Sequence, residues 1–184
     1  GMNVTAPRSI IASGGKFAYP DDAEETPDTL QAIYEYEDFT MIWEHAVGIG
    51  LGPFQRDHGV AFIGNEGTLV IDRAKWEVFP ETGTRNSAPY YKMEPVPTQR
   101  VRPGAAGLDQ HTQNFIECMK TRRQPRCNAE IGQLAAVNAH LGNIAFRTNQ
   151  KVHWNAAQAQ FTDNAEANSL MRAHYRQPWT LPTV

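Results

Sequence analysis

The chain has 184 residues, of which 41% are hydrophobic and 20% are charged, and this is the composition of an ordinary globular protein. Lys and Arg number 17 against 20 Asp and Glu, a net charge of −3 that argues against a broad nucleic-acid-binding surface. No apolar run approaches the roughly 20 residues of a membrane helix, and the length is short for both lobes of a nucleotide-binding dehydrogenase.

The first part of the chain has the pattern of strands and turns. Runs rich in β-branched and aromatic residues, bounded by Gly, Pro or acidic pairs, predict strands. These runs lie near residues 9–13, 29–36, 39–46, 59–63, 68–72 and 75–79. The segment from Pro80 to Gly107 then carries several prolines with little periodicity, which predicts a long irregular connection.

The last third of the chain has the pattern of helices. Apolar residues at helical spacing predict one helix over 109–122 and a second over 129–148, with Asn128 as the N-cap of the second. Gly142 lies inside the second helix, where glycine costs about 1 kcal/mol against alanine, so close packing is expected there.

A shorter helix is predicted near the C-terminus. Asp163 and Glu166 have the spacing of a capping box, which predicts a helix that opens there and runs to about Ala173. Together these elements predict an α+β fold, with the two long helices packed on one face of a mostly antiparallel or mixed open sheet. The opposite face has apolar residues at alternating strand positions and is expected to contact a second subunit in a homo-oligomer.

The glycine-rich segment Gly48–Pro53 invites comparison with a dinucleotide-binding loop. That fingerprint, G-x-G-x-x-G, opens a helix whose N-terminal amides hold the pyrophosphate. Here Pro53 stands at the third glycine position, and the next residues lead into the strand predicted from Gly59. The segment therefore predicts a flexible turn and no cofactor-binding residue. The histidines lack metal-ligand spacing, so no metal site is predicted either.

Trp43 and His45 near a strand end, with Arg56 and His58 in the next loop, form the richest polar constellation. Aromatic rings stack on the apolar face of a sugar while charged groups bind hydroxyls, so this set is typical of sugar or polyol binding. The same groups suit a solvated strand end or a subunit interface. All four are candidate substrate-binding or interface residues, and both roles stay open.

Several segments in the same order resemble the C-terminal domain of the Gfo/Idh/MocA oxidoreductases. They are residues 26–45, 58–72 and 114–147, the last of which contains H-L-G-N-I-A, and a closing stretch ending in R-Q-P-W-T-L that resembles bacterial members. The resemblance covers nearly the whole chain. It implies that residues 1–184 form a single substrate and oligomerisation domain, and that the Rossmann domain of the full-length protein is absent from this chain.

In that family the Rossmann domain binds NAD or NADP, and hydride is transferred at a sugar or polyol carbon. A lysine of an E-K-P motif and a histidine of an H-x-x-D motif act as acid and base. This sequence contains neither motif, so no catalytic residue is carried over and the chain alone is expected to be inactive. Gly1 before Met2 is typical of a tag-cleavage scar, so we expect the natural sequence to extend upstream. The alternative is a stand-alone carbohydrate-binding or assembly module without catalysis.

Overall fold

A computed structural model describes residues 2, 4–102, 107–173 and 175–180. The chain divides into two units, one formed by Gly1–Gly48 with Cys127–Val184 and the other by Ile49–Arg126. Antiparallel open sheets and a few helices make up the structure, which confirms the predicted α+β class. The strands predicted as one sheet are divided between two, because each sheet belongs to its own unit.

The first unit is built on a five-stranded sheet of order β11-β10-β1-β2-β3, in which every pair is antiparallel. Its strands are β1 (Ser9–Gly15), β2 (Thr29–Glu35), β3 (Thr40–Ala46), β10 (Val152–Asn155) and β11 (Gln160–Phe161). The predicted acidic turn joins β2 and β3, and the Tyr36 amide donates to the Phe39 carbonyl at 2.9 Å. Strands β10 and β11 were not predicted from the sequence; β10 lies beside β1 through long-range pairing, and β11 pairs with β10.

Helix α2 (Ala129–Thr148) has the bounds predicted from the sequence and packs on one face of this sheet. A β-carbon at Gly142 would lie only 2.2 Å from the Tyr34 hydroxyl, which confirms the close packing expected there. That hydroxyl donates to the Asn138 carbonyl at 2.9 Å. The core beneath the helix consists of buried apolar side chains from the strands and the helix, among them Ile10, Ala32, Leu141, Ala145, Val152 and Phe161.

The other face of the same sheet carries an exposed apolar row. Ile11 pairs with Ile33, and Ile33 pairs with Ile42, so three isoleucines lie side by side across β1, β2 and β3. Ile11 is 45% exposed, Ile33 is 40% exposed and Ile42 is 62% exposed. We call these three residues the isoleucine row.

The last helix of the first unit differs from its prediction. Helix α3 spans Ala165–Ser169 and is capped by Asn164, whose side chain accepts from the Ala167 amide at 2.9 Å. The predicted cap, Asp163, lies in the preceding turn with a φ of 51°, outside the extended conformation of an N-cap. The capping box and the extension to Ala173 are therefore wrong, because the neighbouring asparagine is the residue with cap geometry.

The second unit contains a four-stranded antiparallel sheet of order β4-β5-β6-β9. Its strands are β4 (Val60–Ile63), β5 (Gly67–Ile71), β6 (Lys75–Pro80) and β9 (Gln99–Arg100). Strands β7 (Thr82–Arg85) and β8 (Ala88–Tyr91) form a separate hairpin, so the expectation of an irregular connection was wrong here. Asn86 and Ser87 both have positive φ, the conformation of a two-residue hairpin turn, but without the glycine that usually signals one.

Helix α1 (Leu108–Thr121) lies one residue from its predicted bounds and belongs to the second unit. None of its residues is buried, and its packing on a sheet face stays a prediction. Among the described helices, none combines the length and apolarity needed to cross a bilayer. The described residues also contain no group of three or more side chains that could together hold a metal ion.

Candidate functional site

Trp43 and His45 lie on the face of β3 opposite to the isoleucine row. Trp43 pairs with Ala32 and His45 with Leu30, and both partners are buried on the helix-covered face of the sheet. Trp43 is nevertheless 57% exposed, whereas His45 is half-buried. The two faces of β3 thus carry different surfaces, one with Trp43 and His45 and the other with Ile42.

The polar atoms of these two side chains form a short hydrogen-bonded chain. The Trp43 indole N–H donates to Nδ1 of His45 at 3.2 Å, and Nε2 of His45 lies 3.1 Å from the Pro27 carbonyl oxygen. An indole nitrogen can only donate and a carbonyl oxygen can only accept, so both bonds require a neutral imidazole protonated on Nε2. The geometry therefore assigns one tautomer to His45 and uses both of its ring nitrogens.

The residue after Pro27 is a buried carboxylate. Asp28 is 1% exposed and accepts from the backbone amides of Phe17, Ala18 and Tyr19 at 2.9–3.0 Å and from the Thr29 hydroxyl at 2.8 Å. Burial raises the pKa of Asp28, but these donors together outweigh burial and lower the pKa to about 2. Asp28 is therefore ionised at neutral pH and fastens the 17–19 loop to the start of β2.

Asp28 also holds the main chain beside His45. Its carbonyl oxygen accepts from the Val47 amide at 2.8 Å, just beyond the end of β3. A β-carbon at Gly48 would lie 2.7 Å from that of Ala18, so the 17–19 loop packs closely against this end of the strand. The Pro27 carbonyl is thus a fixed acceptor. We call Trp43, His45, Pro27, Asp28 and the 17–19 loop the Asp28 network.

The second unit places Arg56 inside a cluster of charges. Its two terminal nitrogens bond to Asp72 and to Glu77, and the Arg56 side chain is only 9% exposed. Glu77 also accepts from the Lys75 ammonium at 3.0 Å and from the Thr98 hydroxyl at 3.3 Å. We call Arg56, Asp72, Lys75 and Glu77 the Arg56 network.

Both carboxylates of this network are stabilised in their charged form. Backbone amides of Lys75 and Ala74 lower the pKa of Asp72, assisted by the charges of Arg56 and His58. The hydrogen bond from Lys75 is the largest cause that lowers the pKa of Glu77. Arg56 therefore bonds to two anions of its own unit, and these bonds hold the loop that carries Arg56 against the sheet.

His58 lies on the surface near the start of β4. Its Nδ1 is 2.8 Å from a carboxylate oxygen of Asp57, and the side chain is about half exposed. Of the four candidate residues, the structure brings Trp43 and His45 into contact in the first unit, and Arg56 and His58 belong to the second. A substrate-binding or interface role stays a prediction for all four. Asp28, Asp72 and Glu77 were missed, because no local sequence signal marks a carboxylate whose partners lie far away in the chain.

Residues 98–181 match the sequence model described as "Oxidoreductase family, C-terminal alpha/beta domain" of the Gfo/Idh/MocA group. The predicted resemblance to this family is confirmed. The match includes the predicted segment 114–147 and the closing stretch of the Gfo/Idh/MocA resemblance. Segments 26–45 and 58–72, which hold most of the candidate residues, lie outside it.

One solved structure has a fold similar to that of this chain. It is that of "putative oxidoreductase yvaA from Bacillus subtilis", with a TM-score of 0.51 and 11% sequence identity over 82% of this chain. The aligned part is 47% of that protein, so the present chain spans about half its length. No curated protein sequence matches the chain.

The Gfo/Idh/MocA family is generally NAD(P)-dependent, and the glycine-rich Gly48–Gly52 loop is the segment of this chain that most resembles a dinucleotide-binding loop. The loop leads into a three-residue 3-10 helix, Pro53–Gln55, and then into strand β4. Phe54 and Gln55 have positive φ, which is incompatible with opening an α-helix. This loop lacks the helix N-terminal amides that hold a pyrophosphate, so its residues do not fit the cofactor.

Proposed function

We propose that the chain is the substrate-binding and oligomerisation domain of an NAD(P)-dependent oxidoreductase that acts on a sugar or polyol. The observation that carries the proposal is the match of residues 98–181 to the C-terminal domain of the Gfo/Idh/MocA family. In this proposal a Rossmann domain elsewhere in the full-length protein binds the nicotinamide cofactor, and this 184-residue chain supplies part of the substrate pocket but no acid or base.

The exposed Trp43 ring supports a carbohydrate as the substrate class. Trp43 is a residue that is 57% exposed and lies next to a hydrogen-bonded imidazole, so it offers the apolar surface on which a sugar ring packs. Both terminal nitrogens of Arg56 already bond to carboxylates of its own unit. Trp43 and His45 are therefore the stronger of the proposed substrate-side residues.

The isoleucine row supports homo-oligomerisation through the open face of the first sheet. Three adjacent exposed isoleucines form a continuous apolar strip, which a second copy of the same strip would remove from water. Because Trp43 and His45 lie on the opposite face of β3, contact through the isoleucine row would leave the aromatic surface accessible.

The cofactor part of the proposal is tested by isothermal titration of the isolated chain with NADH and NADPH. We expect no binding at micromolar concentration, and micromolar affinity for either dinucleotide would contradict the proposal. The natural gene supplies an independent check. It should encode a G-x-G-x-x-G segment between a strand and a helix upstream of residue 3.

The oligomer part is tested by sedimentation velocity over a range of concentrations. We expect the unaltered chain to self-associate and Ile33→Lys, at the centre of the isoleucine row, to be a monomer with unchanged far-UV circular dichroism. Leu134→Lys is the control, since Leu134 is also about half exposed but lies on helix α2. A monomeric unaltered chain, or equal loss of association in both variants, would rule out the open face as the interface.

A further inference from the structure

We infer that His45 is a positioning residue that orients the Trp43 indole so that its ring face meets a pyranose ring. This inference rests on the proposed function, because it assigns separate roles to two residues of the same site. Trp43 would contact the substrate, whereas His45 would act through Trp43 and would not exchange a proton with the substrate.

The positioning role of His45 follows from the hydrogen bonds that both of its ring nitrogens make. Nδ1 accepts from Trp43 at 3.2 Å, and Nε2 donates to the Pro27 carbonyl at 3.1 Å. A catalytic base needs an unshared lone pair within reach of the reacting proton. The only lone pair of this tautomer is already bonded to the indole, so proton transfer would require the contact with Trp43 to break.

The substrate-contact role of Trp43 follows from the part of its side chain that makes no hydrogen bond. The indole N–H is the only hydrogen-bonding group of the side chain, and His45 occupies it. The exposed remainder is an apolar π-surface, which packs on C–H groups and does not bind hydroxyls by hydrogen bonds. A pyranose has a rigid face of C–H groups that matches such a surface, whereas an open-chain polyol does not.

The ring is also held before any ligand arrives. The Pro27 carbonyl that receives His45 precedes Asp28, which accepts four hydrogen bonds and whose own carbonyl accepts from Val47. A side chain fixed in its binding orientation loses less conformational entropy when the ligand binds. Affinity at Trp43 should therefore depend on His45 even though His45 does not touch the sugar.

The first measurement needs no ligand. Long-range ¹H–¹⁵N spectra of the ¹⁵N-labelled chain should show His45 neutral at pH 7.5, with the proton on Nε2 and none on Nδ1. The four tryptophan indole N–H signals are assigned with Trp43→Phe. The Trp43 signal should move upfield in His45→Leu, which removes the acceptor. In His45→Asn, which keeps an acceptor oxygen near the position of Nδ1, it should stay close to its original shift. Protonation on Nδ1 would overturn the positioning role.

The second measurement adds methyl β-D-glucopyranoside, with sorbitol at equal concentration as the open-chain control. We expect the glucoside to shift the Trp43 signal more strongly than sorbitol does. Glucoside affinity should fall about tenfold in Trp43→Ala and about fivefold in His45→Leu, but stay within about twofold in His45→Asn. Equal losses in His45→Leu and His45→Asn would overturn the inference, since a direct contact of the imidazole with the sugar predicts that result.

The two levels of the proposal fail in different ways. If the glucoside shifts signals elsewhere in the chain but not that of Trp43, sugar binding stands and the role of Trp43 is wrong. An equal response to sorbitol means that a ring face is not what is recognised. If neither compound changes any signal while the His45 tautomer is as described, the carbohydrate part of the proposed function fails and the positioning of Trp43 by His45 remains.

Discussion

The Asp28 network and the Arg56 network both fasten a loop to a sheet, but they neutralise charge in opposite ways. Asp28 is a single carboxylate surrounded by neutral donors, three of them backbone amides. Arg56 meets two carboxylates, and a lysine joins the same cluster. The Arg56 network is closed within its unit, whereas the Asp28 network continues through His45 to an exposed ring. The charge of Arg56 is thus used inside the fold, whereas the hydrogen bonds of the Asp28 network end at a side chain that is 57% exposed.

The largest loss of stability is expected when the Arg56 network is broken. Arg56→Met removes the cation from between two ionised, part-buried carboxylates, so it should lower the free energy of unfolding by more than the roughly 1 kcal/mol of a surface ion pair. Arg56→Lys keeps the charge but loses the two-pronged geometry, so its loss should be smaller. Urea unfolding measures both variants. Equal free energies of unfolding for Arg56→Met and the unaltered chain would show that the cluster is not stabilising.

A smaller loss is expected for Asp28→Asn, and it should depend on pH. The pKa of Asp28 is lowered from 3.8 to about 2 in the folded chain, so its stabilising contribution is present above about pH 4 and is lost as the pH falls towards 2. Free energies of unfolding measured from pH 5 to pH 2 should therefore converge for Asp28→Asn and the unaltered chain at the acid end. Glu25→Gln, an exposed carboxylate of the neighbouring loop, is the control. A constant difference across this range would contradict the role of the Asp28 charge.

The smallest effect on stability is expected at His45, where the network reaches the surface. His45→Leu should lower the free energy of unfolding by less than about 1 kcal/mol, because the two lost hydrogen bonds are partly solvated. His45→Asn should lower it less. Thermal unfolding of both variants beside Asp28→Asn checks this order. If the loss at His45 were larger than that at Asp28, the surface end of the Asp28 network would contribute more to stability than its buried carboxylate, which would contradict this order.

The sequence predicted the elements around the candidate site more closely than the site itself. The bounds of α2 and the turn between β2 and β3 agree with their predictions, because periodicity and turn residues act locally. The pairing of β10 with β1 and the division into two sheets depend on residues far apart in the chain, which local patterns do not report. The β7–β8 hairpin was missed because Asn86 and Ser87 adopt positive φ without a glycine.

Within the site, aromatic and basic side chains were predicted and their partners were not. Trp43, His45 and Arg56 were recognisable from residue type alone. Asp28 stands at the end of an acidic loop, where exposure is the ordinary expectation, and only the folded 17–19 loop brings its donors together. The role of Arg56 depended on Asp72 and Glu77, which lie 16 and 21 residues away in sequence.

The contact between Gly142 and Tyr34 has a consequence for how much sequence change helix α2 tolerates. The Tyr34 hydroxyl occupies the space of a β-carbon at residue 142. At Gly132 of the same helix, no atom of the described residues outside the helix's own backbone lies within 4 Å of a β-carbon. In a library randomised at both positions and sorted for folded chains, we expect position 142 to return glycine alone. Position 132 should accept many residues and favour alanine, the stronger helix former. One tyrosine hydroxyl thus limits the variation that this stretch of helix can accumulate.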